Sequence, residues 1–169
     1  MRTVALVLII SLVGACTTQA SSVVDRRVAE FLGEEVVNTI RTPDRVASIR
    51  IDGGLDERGK PGEKVADFPI IANGPDLTAD QVRELQSLIF DATNYEFDSA
   101  KGCEFMPGVV FRFEKGSDLV DVLLCFSCDE WAFLRNGNWK IEDNDRARSR
   151  LLALAKAAFP DDAVLAKLR

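Results

Sequence analysis

The chain has 169 residues, is 47% hydrophobic and 28% charged, and carries a net charge of −6 with no histidine. That balance suits one domain with an ordinary core, and it argues against nucleic acid and anionic head groups as partners, since both need clustered Lys and Arg. Without histidine there is no Ser-His-Asp or Cys-His pair, no His-containing zinc site and no imidazole base, so chemistry could rest only on thiols, carboxylates, lysine or tyrosine.

In chain order, Arg2 supplies a positive start, Val4 to Val13 form an apolar run broken by Ser11, and Gly14-Ala15 lead into Cys16. This is the pattern of a secretory signal peptide over residues 1–15, too short for a spanning helix. With cysteine directly after the small residues, the segment also resembles a bacterial lipobox. The resemblance implies cleavage before Cys16, a diacylated Cys16 thiol and an acylated new amine, enough lipid for stable membrane attachment. Thr17 is not the aspartate of an inner-membrane retention signal. In a cell with two membranes, the expected location is therefore the periplasmic face of the outer one. Residues 16–25 read as the lipidated terminus and a flexible polar tether (TTQASSVVD). Residues 26–169 remain as a single α+β domain.

Val28, Phe31, Leu32, Val36 and Ile40 recur at a helical period, with Gly33 inside the run and Thr42-Pro43 ending it. Val46 to Ile51 alternates as a strand, and the glycine- and charge-rich stretch GGLDERGKPGEK follows as a loop. Val65 to Ala72 is extended, and Pro69 places it at an edge or a bulge. Thr78 and Gln81 form a capping box, Leu77 can staple to Val82, and the helix runs to about Thr93. Pro107 to Glu114 and Leu119 to Phe126 form a hairpin around Lys115-Gly116-Ser117-Asp118, apolar enough for burial on both faces. Trp131 to Leu134 and Asn138 to Ile141 can add a second hairpin around Asn136-Gly137. Asp143 or Asn144 then caps a helix to about Phe159, and Asp162 to Leu168 forms a short last one. The order α-β-β-α-β-β-β-α describes a small antiparallel sheet with a central hairpin, packed by two main helices.

Outside the cytoplasm, a disulfide is expected among Cys103, Cys125 and Cys128. If Lys115 lies opposite Asp118, Cys103 and Cys128 become diagonal neighbours on one face and Cys125 points to the other. That register favours Cys103–Cys128, with Cys103–Cys125 next, and a one-residue slip would overturn the preference. Two other readings stay open. Cys125-Phe126-Ser127-Cys128 is a CxxC sequence that could exchange disulfides, although Asp129 and Glu130 would raise its thiol pKa values. The three cysteines with Glu104 or Asp129 could also hold zinc.

The segment CEFMPGVVFRFEKGSDLVDVLLCFSC resembles a group of bacterial proteins and lipoproteins in which a Cys…Pro segment precedes a hairpin ending in Cys-Phe-x-Cys. The resemblance covers Cys103 to Cys128 and implies domain kinship, with no activity and no site attached to it. Elsewhere, Glu114, Asp118 and Asp121 read as a solvated edge, and Tyr95, Trp131 and Trp139 as core rather than a ligand groove. Asp143-Asn144-Asp145 lacks the glycine and terminal glutamate of a calcium loop and reads as helix capping. The resulting expectation is a lipid-anchored cell-envelope protein, a non-enzymatic binding or structural module without cofactor, metal or catalytic residue. Its partners are the membrane, through Cys16, and other envelope proteins. The alternatives are a thiol-disulfide oxidoreductase using the CxxC sequence and a small metal-binding domain.

Overall fold

The computed structural model describes residues 23–54 and 61–169, so the signal segment, Cys16, most of the tether and part of the Gly53–Lys64 loop lie outside the described residues. The last tether residues are docked: Val24 packs on the core, and the Asp25 amide donates to the Phe90 carbonyl at 2.9 Å.

The helical pattern at residues 28–40 forms two helices, α1 (Arg26–Leu32) and α2 (Glu34–Arg41). The chain breaks at Gly33, whose φ of 85° lies outside the helical region. Strand β1 (Arg45–Ile51) follows, then a two-residue β2 (Lys64–Val65) and the long β3 (Phe68–Asp76). β3 pairs with β1 through two register shifts, and β2 covers only Phe68 and Pro69, so Pro69 sits where an edge or bulge is required. Helix α3 (Ala79–Ile89) starts with both hydrogen bonds of the expected Thr78–Gln81 capping box. It stops four residues short of Thr93, and a 3₁₀ turn, Ala92–Asn94, takes over.

Strands β4 (Val109–Lys115) and β5 (Asp118–Cys125) pair with Lys115 opposite Asp118, the register read from the turn. β6 (Glu130–Arg135) and β7 (Asn138–Asp143) complete the meander around Asn136-Gly137, both at positive φ as a tight hairpin turn requires. Helices α4 (Arg148–Ala158) and α5 (Ala163–Lys167) close the chain.

The α+β class holds, but the sheet is not small. Seven antiparallel strands run in the order β2-β3-β1-β4-β5-β6-β7 and curl into a half-barrel. Among the described residues five short helices accompany it, of which α3 and α4 are the longest at 11 residues each. The main core lies between one sheet face, with Phe111, Phe113, Val122 and Trp131, and apolar residues of every helix from Val28 to Leu165. The opposite face has its own smaller cluster, which runs from Val65 and Phe68 through Ile49 and Ile51 to Val110, Leu123 and Ala132. Burial on both faces explains the near-continuous apolar runs of β4 and β5. No described helix is long and apolar enough to cross a membrane.

Candidate functional site

Cys103 and Cys128 are bridged, with Sγ atoms 2.05 Å and Cα atoms 6.1 Å apart. The pairing is the one favoured from the hairpin register, but the geometry differs from a diagonal pair within strands. Cys103 lies in the segment before β4 and Cys128 in the β5–β6 turn. Cys103 is exposed, whereas Cys128 is 7% exposed. Cys125 is a buried free thiol at the end of β5, accepting from the Met106 amide at 3.3 Å with the Ser127 hydroxyl 3.2 Å away. The CxxC sequence therefore joins a bonded cysteine to a buried one. With Cys103 and Cys128 joined, the expected zinc set has lost two of its three thiolates. Asp129, one of its candidate carboxylates, instead pairs with Arg148 at 2.7 Å.

Beside the disulfide, the ends of β6 and β7 gather carboxylates that the reading by spacing did not bring together. Glu130 is 8% exposed and its carboxylate lies 3.9 Å from the Cys103 sulfur. Burial, then the negative charge of Asp143, holds its pKa above the ordinary glutamate value. Glu142 is raised in the same way, by burial and by Asp143, Asp98 and Glu96, against a lowering backbone hydrogen bond. Lys101 enters this corner from just before the disulfide loop, two residues ahead of Cys103. Its ammonium donates to the carbonyls of Cys128 (2.8 Å) and Asp129 (3.2 Å) and to the Asp145 carboxylate (2.5 Å), and lies 3.6 Å from Asp143.

The expected capping role of Asp143 or Asn144 is not found. Helix α4 begins at Arg148, with Ala147 at the cap position and no side-chain capping bond. Asp143 ends β7 instead, and it and Asn144 are each 2% exposed. Asp143 Oδ2 and Asn144 Oδ1 are buried with no hydrogen-bond partner. One oxygen each of Glu96, Asp143 and Asp145 lies within 4.8 Å of the others. Glu96 follows the 3₁₀ turn, 47 positions before Asp143 on the numbering, and no spacing rule links the two. The one legible signal was the Asp143-Asn144-Asp145 run itself.

The other singled-out residues divide. Tyr95 and Trp131 are core, their rings 4.7 Å apart, with the tyrosine hydroxyl donating to the Ile89 carbonyl at 2.6 Å. Burial pushes the Tyr95 hydroxyl well above its ordinary pKa. Trp139 is 40% exposed and meets Phe105 edge-on. Asp121 is not a solvated acid: it is 8% exposed and bonded to Arg112. Glu114 and Asp118 pair with Arg45 and Arg135 at 3.1 Å each.

A cleft of about 380 Å³ opens between the outer edge of β3 (Ile71, Asn73) and the α4–α5 corner (Phe159, Pro160). Its charged floor is self-contained. Arg50 donates to Asp162 at 2.7 Å and to the Ile51 and Gly108 carbonyls at 2.8 and 2.5 Å. Burial raises the Asp162 carboxyl, but the Leu165 amide and Arg50 outweigh it and hold the pKa below the ordinary aspartate value. No family model, curated protein or solved structure matches the chain.

Proposed function

We propose that the chain is a lipid-anchored domain of the bacterial cell envelope that works through binding or structural contacts rather than catalysis. The Cys103–Cys128 bridge carries this reading, because disulfides persist in oxidising compartments and are rare in the cytoplasm. It agrees with the lipobox-like run ending in Cys16, which supplies the export signal and the anchor. The kinship suggested by the Cys…Pro…hairpin…Cys-Phe-x-Cys segment points the same way and adds no activity. The cleft beside β3 supports contact rather than chemistry, since its buried guanidinium and half-buried carboxylate neutralise each other. The oxidoreductase alternative has weaker support. Cys128 is bonded to Cys103, and Cys125 is 1% exposed beside no cation that would favour its thiolate among its hydrogen-bond partners.

The test is the chemical state of the protein recovered from cells. Membrane fractionation and mass mapping are expected to find the chain with the membranes, beginning at an acylated Cys16, with Cys103 and Cys128 bridged. The Cys16→Ala variant loses the acyl mass. A soluble chain with unmodified Cys16 and free Cys103 would overturn the proposal.

A further inference from the structure

The geometry points to a divalent-cation site, calcium by its donor chemistry, formed by Glu96, Asp143 and Asp145 at the end of β7. Three observations converge on it, and none depends on where in the cell the protein works.

The first is spacing. One oxygen from each carboxylate lies within 4.8 Å of the other two. Calcium holds oxygens at about 2.3–2.6 Å, so oxygens around one ion stand up to roughly 5 Å apart. The three donors come from two separate parts of the chain, the stretch after the 3₁₀ turn and the β7–α4 connection. All are hard carboxylate oxygens, the set that suits calcium rather than a thiol-seeking metal.

The second is an unmet demand. Asp143 is 2% exposed, and its Oδ2 has no hydrogen-bond partner. A buried carboxylate oxygen without a partner is costly. Helix capping does not meet the demand, because α4 starts after Ala147 without a side-chain cap. Nor does Lys101, whose ammonium stands nearest the other oxygen, Asp143 Oδ1, and takes Asp145 through Oδ2.

The third is charge. Glu96, Asp143 and Asp145 carry three negative charges, and Lys101 returns one, leaving a deficit that one divalent ion would balance. Two arginines that follow in sequence are engaged elsewhere, Arg148 with Asp129 and the Phe126 carbonyl, and Arg146 with the Thr93 carbonyl. Glu96 and Asp145 are exposed, so an ion can reach the site and water can complete its shell.

The experiment is calcium titration of the full chain, purified in detergent and stripped with a chelator, followed by calorimetry. One ion per chain is expected, with a Kd of about 10⁻⁴–10⁻³ M as for open extracellular-type sites. Asp143→Asn and Glu96→Gln each weaken binding at least about tenfold, while Glu84→Gln, on α3 and paired with Arg150, leaves it unchanged. Glu96 is exposed, so its variant remains informative if the Asp143 variant fails to fold. Absence of calcium binding in the wild-type chain overturns the proposal. So does binding that survives Glu96→Gln, or binding of magnesium in preference to calcium.

Discussion

Arg112 and Asp121 stand directly opposite each other on β4 and β5 and are joined by two parallel hydrogen bonds, Nε to Oδ1 at 2.6 Å and Nη2 to Oδ2 at 2.8 Å. They extend the sheet face of Val110 and Leu123, so the pair ends an apolar strip rather than facing open water. Removing one partner of such a pair strands the other charge, whereas replacing both with apolar groups of similar size is close to neutral. Asp121→Ala is expected to cost about 3 kcal/mol in urea denaturation. The double variant Arg112→Met/Asp121→Leu recovers most of that loss.

The disulfide closes a loop between positions 25 apart, which restricts the unfolded chain by about 3 kcal/mol. Because Cys103 is exposed, a small reductant reaches the bond in the native state. Reduction is therefore expected to lower the denaturation midpoint while leaving the sheet intact by circular dichroism. In the same sample, Cys125 labels only on unfolding, since it is buried at the end of β5.

Gly53 is required by a close approach. A Cβ there would lie 2.3 Å from the Pro107 carbonyl oxygen and 2.6 Å from the Met106 backbone, neither of which can swing aside. This contact holds the disulfide segment against the end of β1. Gly53→Ala is expected to destabilise the fold by about 1–3 kcal/mol through overpacking. Gly102→Ala, whose Cβ would meet nothing within 4 Å, is the matched control and stays near neutral.

Glu130 makes stability depend on pH in a definite direction. Burial and Asp143 raise its folded pKa above the ordinary glutamate value, so the folded state prefers the protonated acid. Its contribution is complete below the ordinary carboxyl pKa and is lost as pH rises through the raised value. Glu130→Gln stays neutral throughout. In chelator, the variant is expected to be more stable than wild type at pH 7 and to lose less stability between pH ~5 and neutrality. Thermal melts across that window check both statements.

Much of the local structure could be read directly from residues. The Thr78–Gln81 capping box, the turn that sets Lys115 opposite Asp118, and the Asn136-Gly137 hairpin each depend on neighbours a few positions apart. That register favoured the Cys103–Cys128 pairing without deciding it, since both cysteines lie outside the paired strands. The failures were also physical. Gly33 interrupts a helix whose apolar period continues through it, because periodicity records which face is buried and not whether the backbone is continuous. Asp143 and Asn144 look like capping residues, yet the chain travels on to Ala147 before α4 can start on the core.

By itself, the sequence determined an α+β domain with these hairpins and no imidazole chemistry, because turn preferences, strand alternation and residue inventory act over short distances. Only the tertiary structure decided that β1 lies between β3 and β4, that seven strands form one curled sheet, and that Glu96 meets Asp143 and Asp145. Burial is non-directional: it rewards covering an apolar face without specifying which distant segment covers it. The order of strands, and the carboxylates it gathers at one corner, follow from packing the whole chain at once.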